Sequence, residues 1–493
     1  MPEQVDMTEV SPSGMLASPI IIQGAQVLLP SGQIALRDVA IADGKITAIG
    51  TELEVSTSTR TVDGQGLTML PGVIDSQVRF HTGAGPIAPD DWFIESCACV
   101  RGGVTSCLEM TSAKLSCLEM PNTASLATTE AVLSEKLAIA AQQSLVNYGF
   151  LIDIEAIDVN GADTNSADAS DTDAAHINLA DLLSLYPICG LRLDIGSANE
   201  ALSASDAAAF ESVFAAGDSL ITVHFGESAD GSGTDDSDIK AGTEQESGQY
   251  INASAEQASK QVAVPSGAGL GIDIAPDTQQ DSESAPLALQ SVLDLSRQYK
   301  RRLHIQQVPT SDAITLLQKD RPSWTSAALT PEDLLLAEDI SEPLWRSLRT
   351  ERIDLIASGH TPYPLENSST AFPSGYLPGV ETSLPLMLTQ AQKNRCSIAQ
   401  VSDWMSAAVA RVHNIPNKGL IEPGYDADLV LVDLATYRPV LSQELQTQAG
   451  WSPYEGWVLT GWPVITIVGG RVVYERGEID VRGRGRALQF GSN

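Results

Sequence analysis

The strongest constraint on this chain's fold is an arrangement. Two β-rich ends flank a long centre in which strand-like and helix-like runs alternate. From Pro19, the runs IIIQGAQVLL, ALRDVAIA and DGKITAIG are short and apolar, and ADGK supplies a hairpin turn between the last two. The same texture returns in DADLVLVDL and WPVITIVGGRVVYERGEI, with Gly469-Gly470 at a turn position. Pairing of the two ends into one small sheet domain would bring the termini together. In the centre, LITVHF, RRLHIQQV and RIDLIASGH are separated by helix-like stretches such as DAAAFESVFAAG and PLALQSVLDLSRQYKR. Alternation of this length predicts a parallel sheet, doubly wound or closed as a (β/α)8 barrel. His224 and His360 end two of the strand-like runs, at the carboxyl edge where barrel sites are assembled.

These patterns predict a flexible tail over 1–18, a first β-sandwich segment over 19–70, a barrel over 71–414 and a second sandwich segment over 415–493. Residues 156–175 and 226–284 are rich in Asp, Ser, Gly and Glu and read as solvated acidic insertions. Their DTD and DDSD runs lack the spaced ligands, glycine and closing glutamate of a calcium loop. The pentapeptide SCLEM occurs at 106–110 and again at 116–120, too short a period for a solenoid. It reads as a local duplication lengthening one strand-to-helix connection.

Charge narrows the choice of partner. The 493 residues carry 29 Lys+Arg against 63 Asp+Glu, a net charge of −34, which argues against nucleic acid and anionic membrane as partners. No window approaches the roughly 20 apolar residues of a membrane span, and the start lacks a basic segment followed by an apolar one. The expectation is a soluble, cytoplasmic homo-oligomer. The six cysteines (Cys97, Cys99, Cys107, Cys117, Cys189 and Cys396) alternate with small apolar residues and have no histidine among the first four. Buried thiols suit them better than a metal cluster.

Chemistry is concentrated at PGVIDSQVRF, residues 71–80, where an acid opens an alternating strand. On a strand, residues i and i+2 share a side, so two histidines so spaced would chelate one metal. Here those positions hold Gln77 and Arg79. Glutamine is a poor ligand for a transition metal, and a guanidinium cannot lose its proton to become one.

Taken with other motifs, this segment gives the chain a clear resemblance to the dihydroorotases of the amidohydrolase superfamily, with features shared by hydantoinases and allantoinases. PGVIDSQVRFH resembles PGxIDxHxHxR, RGGVT (101–105) resembles GGxT, and MPNT (120–123) matches as written. VHFGE (223–227), LHIQQVPTSDA (303–313) and IDLIASGHTPY (353–363) resemble HxED, HIxHVST and IDxIATDHAPH. LPGVETSLPLML (377–388), KGLIEPGYDADLVLVDL (418–434) and SPYEGW (452–457) follow in the family's order. The resemblance runs from about Ile20 to Ile479 and implies a (β/α)8 barrel with a small β-sandwich built from both chain ends.

Carried across by position, the resemblance implies an altered site. The two barrel-strand histidines of the family fall on Gln77 and Arg79, and its substrate-binding arginine falls on His81. No lysine occurs between Lys136 and Lys240 to act as the bridging ligand, for which Asp194 is a weak substitute. His224 matches the next metal histidine, while the following one is Gln307 and the acid that serves as ligand and base is Gly359, beside a retained His360. Asn122 matches a substrate-contacting asparagine, TPHHL becomes TPEDL (330–334), and the following loop looks shortened to EPLWRSLR. The family reaction uses zinc to acidify water and a carboxylate to move its proton. The positional match implies no catalytic residue and no metal cofactor here.

Three readings follow. In the first, the chain is a dihydroorotase-like homologue without that activity, a structural or regulatory partner in pyrimidine biosynthesis, with aspartate transcarbamoylase as the partner implied by analogy. In the second, a cyclic-amide hydrolase retains a remodelled single-metal site from His81, His224 and His304 or His360. In the third, the barrel mouth binds a small molecule through Arg79, His81 and Asn122, although pairing of Arg79 with Asp75 is the plainer expectation. His304 reads as a hydrogen-bonded strand residue, and His176 and His413 lie outside every motif.

Overall fold

The computed structural model describes residues 19–54, 59–80, 89–116, 123–155, 183, 185–195, 201–225, 286–308, 310–336, 341–364 and 377–491. The tail over 1–18, both acidic insertions, Cys117, His81, Asn122 and His176 lie outside them.

Five short strands open the chain: β1 (Ile20–Leu28), β2 (Ile34–Ala42), β3 (Lys45–Gly50), β4 (Arg60–Asp63) and β5 (Thr68–Pro71). Asp43 and Gly44 both take positive φ in the β2–β3 turn (+52° and +78°), the geometry that lets a two-residue hairpin follow strand twist. Eight parallel strands follow: β6 (Val73–Val78), β7 (Val104–Ser116), β8 (Asn147–Glu155), β9 (Ile188–Ile195), β10 (Ile221–Phe225), β11 (Leu303–Ile305), β12 (Thr325–Leu329) and β13 (Leu355–Ile356). They form one sheet in sequential order from β6 to β13. A parallel bridge from Val78 to His360, with the Arg79 N–H donating to the His360 carbonyl at 2.8 Å, brings the last strand back to the first. The result is a (β/α)8 barrel, one of the two architectures the alternation allows and the one the resemblance implies.

The far end contributes β14 (Leu429–Asp433), the short pair β15 (Arg438–Pro439) and β16 (Val458–Leu459), then β17 (Trp462–Val468), β18 (Arg471–Glu475) and β19 (Glu478–Ile479). β14 pairs with β5, so both chain ends share one nine-stranded sheet, ordered β19-β18-β17-β14-β5-β1-β2-β3 with β4 beside β1. Alternate residues of these strands, among them Ile22, Val39, Ile46, Met69, Leu431 and Ile465, enclose a core separate from the barrel's. Gly469 and Gly470, at φ +53° and +77°, make the β17–β18 turn.

Asp428, in the DADLVLVD motif, joins the two units. It accepts hydrogen bonds from Asn147 Nδ2 at 3.2 Å and Gly469 N–H at 2.7 Å, and pairs with Lys418. The RGGVT motif also has a steric reason. A Cβ on Gly102 would stand 2.1 Å from the Val380 carbonyl oxygen, and Gly103 has φ +81°. Helix α1 (Pro89–Arg101) docks through Trp92, whose ring meets Phe80 edge-on at 4.9 Å.

Two sequence expectations change. EPLWRSLR belongs to a regular helix, Ser341–Arg349, whose Leu344, Trp345 and Leu348 are buried, so the segment is a packed element of the barrel wall and not a shortened loop. The residues after the first SCLEM extend β7 to Ser116 through a register shift between Met110 and Lys114, so this part lengthens the strand and not its connection. Cys97, Cys99, Cys107 and Cys189 are buried free thiols, and Cys396 is half-buried.

Candidate functional site at the carboxyl end of the barrel

Because side chains alternate along a strand, residues in register on neighbouring strands meet inside the barrel. Leu191 and Leu193 of β9 belong to the core beneath the helices, which turns Arg192 and Asp194 inward. Arg192 stands in register with Asp153 of β8, and Asp194 with His224 of β10. The Arg192 guanidinium is fully buried. Its Nη1 donates to Asp153 Oδ1 at 3.0 Å and Asp194 Oδ2 at 2.9 Å, and its Nη2 to Asp194 Oδ1 at 2.5 Å. Its Nε donates to Gln306 Oε1 at 2.8 Å, and Gln306 Nε2 reaches Met110 Sδ at 3.0 Å. One planar fork therefore ties the ends of β8, β9 and β11.

His224 Nδ1 lies 3.1 Å from Asp194 Oδ1. Burial lowers the imidazole below its usual value, aided by Arg192 and Arg79 and opposed by Asp194. The ring is thus neutral at pH 7 and donates its Nδ1–H to the carboxylate. Burial alone would raise Asp194, but Arg192, His224 and Arg79 outweigh it and hold the carboxyl well below the ordinary range.

Gln77 is only 1% exposed, and among the described residues neither its amide nitrogen nor its amide oxygen has a hydrogen-bond partner. Arg79 is also buried, and the carboxylates that feel its charge are Glu109, Asp153 and Asp194. Asp75 Oδ1 accepts the Gln77 and Ser358 N–H groups at 3.2 and 3.1 Å. That carboxyl fastens the backbone of β6 to the segment after β13.

Two of the other described histidines, His360 and His304, have partners elsewhere. His360 Nε2 is 2.8 Å from Glu95 Oε2, with both side chains fully buried, and His360 Nδ1 accepts the Gly379 N–H at 3.2 Å. Glu95 also accepts Thr447 Oγ1 and the Gln448 N–H, each at 2.9 Å. His360 therefore braces the barrel against α1 and the 447–448 loop. His304 Nδ1 is 2.9 Å from Ser326 Oγ, and its ring meets His413 edge-on with centroids 5.3 Å apart. The structure gives His224, His304 and His360 separate partners and does not assemble them into one site. Among the described residues, no group of three or more His, Cys, Asp or Glu side chains is arranged to hold a metal.

Gln307 Nε2 donates to Asp333 Oδ1 at 2.9 Å. Asp333, the second acid of TPEDL, also closes a capping box with Thr330. Gly359 takes φ +66°, a conformation open to glycine at no steric cost.

Sequence reasoning missed Arg192, Asp153 and Glu95. A signal was present for the first two: charged residues at alternating positions within otherwise apolar strands, in FLIDIE and GLRLDI. Glu95 lies on a helix and carries no such mark.

Comparison with known proteins places this geometry in context. The model of the Amidohydrolase family matches residues 373–473. The dihydroorotase of Pyrococcus horikoshii is 33% identical over 220 residues, covering 41% of this chain and 52%, about half, of that protein. That of Methanosarcina acetivorans is 27% identical over 488 residues, covering 92% of this chain and 91% of its own. The chain is dihydroorotase-like over most of its length, with its Amidohydrolase match over residues 373–473. The barrel and sheet also superpose on the crystal structure of dihydropyrimidinase from Brevibacillus agri, with TM-score 0.66 at 19% identity, over 95% of this chain and 98% of that one.

The metal that such a family implies does not fit the residues described at the barrel mouth. A guanidinium at position 79 cannot ligate and repels a cation, and Asp153 and Asp194 are already spanned by Arg192.

Proposed function

We propose that this dihydroorotase-like chain keeps the barrel without metal-assisted ring opening and serves as a structural or regulatory partner in pyrimidine biosynthesis. One observation carries the reading. At the strand end, where a metal would activate water, Arg192 holds two carboxylates in a closed, charge-compensated set. Without a metal, nothing there lowers the pKa of water from about 15.7 toward 7. Gly359 stands at the position of the family's base and supplies no carboxylate to take the proton. The order of retained motifs, from PGVID to EPGYDADLVLVD, supports a folded and used protein. Aspartate transcarbamoylase is the partner this reading names, by analogy with dihydroorotase-like chains that scaffold it.

The test is growth of a dihydroorotase-deficient strain expressing the chain, paired with co-sedimentation of the purified protein with aspartate transcarbamoylase catalytic chains. The reading predicts no growth without added pyrimidine, and a stable complex. Growth would overturn the loss of activity, and absence of a complex would overturn the partner.

A second reading has one observation in its favour. Asp194 orients a neutral His224 at the carboxyl end of β10, as a carboxylate orients a general base. A cyclic-amide hydrolase with a remodelled single-metal site would use that dyad, and growth of the deficient strain is its expected outcome.

A further inference from the structure

We infer that the β15–β16 ribbon and the turn at Ser442–Glu444 form a self-complementary surface for a second copy of this chain, Arg438 pairing with Glu444 of the partner subunit. The inference is independent of the proposed function and adds where two such chains meet.

The ribbon carries apolar side chains outward. Tyr437 and Val458 are 55% and 52% exposed, and Pro439, in register with Val458, is exposed as well. Beside them runs a crevice lined by Arg101, Arg438, Glu381, Glu444, Trp462 and Tyr474. The Arg438 guanidinium lies over the Trp462 ring, 4.1 Å from its centroid, a stack that fixes its direction. Its buried Nε has no hydrogen-bond partner, and among the described residues the side chain makes no ion pair.

Glu444 lines the same crevice from the single helical turn Ser442–Glu444, and its side chain is exposed. That turn is held at both ends. Arg101 Nη2 donates to the Glu444 carbonyl at 2.7 Å, and Glu455 accepts the Ser442 N–H at 2.7 Å. Among the described residues the Glu444 carboxylate has neither a hydrogen bond nor an ion pair. The other two charges of the crevice are spent, because Glu381 faces Arg101 at 3.4 Å and accepts the Gln446 and Thr447 N–H groups.

One patch thus presents a fixed cation and a fixed anion that do not pair with each other. A two-fold axis satisfies both at once, since in an isologous contact residue i meets j and j meets i. Net charge points the same way. Two chains of −34 repel at long range, so they meet where local charge is balanced, as Arg101 and Arg438 are by Glu381 and Glu444. An arginine and a tyrosine beside a packed tryptophan are also the side chains enriched at the energetic centre of protein contacts.

Sedimentation equilibrium of the full chain tests this with four proteins: the wild type, Arg438→Glu, Glu444→Arg and the double charge swap. The wild type should be a dimer. Each single reversal sets like charges together at two symmetry-related places and should raise the dissociation constant about 100-fold. The double swap rebuilds both pairs and should return to within about tenfold of wild type. Tyr437→Ser leaves the Trp462 stack untouched, and it should also weaken the dimer while keeping the wild-type thermal midpoint. A monomeric wild type overturns the inference. So do single variants that associate like wild type, and so does a double swap no better than either single variant.

Discussion

Lys136 and Glu109 form a pair whose removal can be calculated from its surroundings. Lys136 lies on helix α2 (Thr123–Gln143), and its Nζ stands 2.9 and 3.0 Å from the two Glu109 carboxylate oxygens of β7. The side chains are 1% and 2% exposed. Burial raises the Glu109 carboxyl, and Lys136, followed by Arg79, opposes that rise. In Lys136→Met, the aliphatic stem is largely replaced, so the main loss is the counter-charge. Removing one partner of a buried ion pair costs about 3–5 kcal/mol.

The cost should depend on pH. Without Lys136 the folded-state pKa of Glu109 rises further above the unfolded value of about 4.3, so the folded form binds the extra proton. The destabilisation is therefore smallest near pH 5 and grows as pH rises through the new folded pKa. Lys136→Met/Glu109→Gln removes both charges and should recover most of the loss, to within about 1.5 kcal/mol of wild type. Urea unfolding followed by circular dichroism at pH 5.5 and 8 measures all four corners of the cycle. A single variant within about 1 kcal/mol of wild type at pH 8, or a double variant no better than the single, would refute the reasoning.

Two further variants probe burial and backbone packing. Among the described residues, neither ring nitrogen of the buried His413 has a hydrogen-bond partner; burial, His304 and Arg302 hold it well below its ordinary value, and burial and Arg302 push His304 down to about 3. The unfolded rings titrate near 6.5, so this contribution is complete above that pH and falls by about 1.4 kcal/mol per unit per ring as pH drops toward 3. His413→Phe should flatten the urea midpoint's dependence between pH 6 and 4; parallel curves for variant and wild type would contradict this. Gly102→Ala sets a Cβ 2.1 Å from the Val380 carbonyl oxygen, an immovable backbone atom, and should cost about 3 kcal/mol. Gly66→Ala, with nothing within 4 Å but φ +77°, should cost only about 1 kcal/mol in the same urea assay.

The architecture was legible because burial imposes periodicity. Strands buried on both faces read as apolar runs, and the glycines at Asp43-Gly44 and Gly469-Gly470 mark the two hairpin turns. The helix Ser341–Arg349 was obscured by its few residues and its proline, since only the buried Leu344, Trp345 and Leu348 reveal it. At the candidate site, the family resemblance carried across by position singled out Gln77, Arg79, His224, Gln307, Gly359 and His360. What each of them touches depends on strand register and on residues far away in sequence. His360 meets Glu95 across 265 positions, and Arg192 meets Gln306 across 114. No local pattern encodes such pairings. Their consequence is a change of meaning: His360 looked like a remnant of chemistry and is a brace, whereas Arg192 drew no notice and organises the mouth.

The account turns on whether the barrel mouth supports metal-assisted chemistry. The most direct measurement is zinc content by elemental analysis on the same purified sample that is assayed for dihydroorotate ring opening and closing. The account predicts far less than one zinc per chain and no turnover above the uncatalysed rate. Near-stoichiometric zinc together with turnover would contradict it.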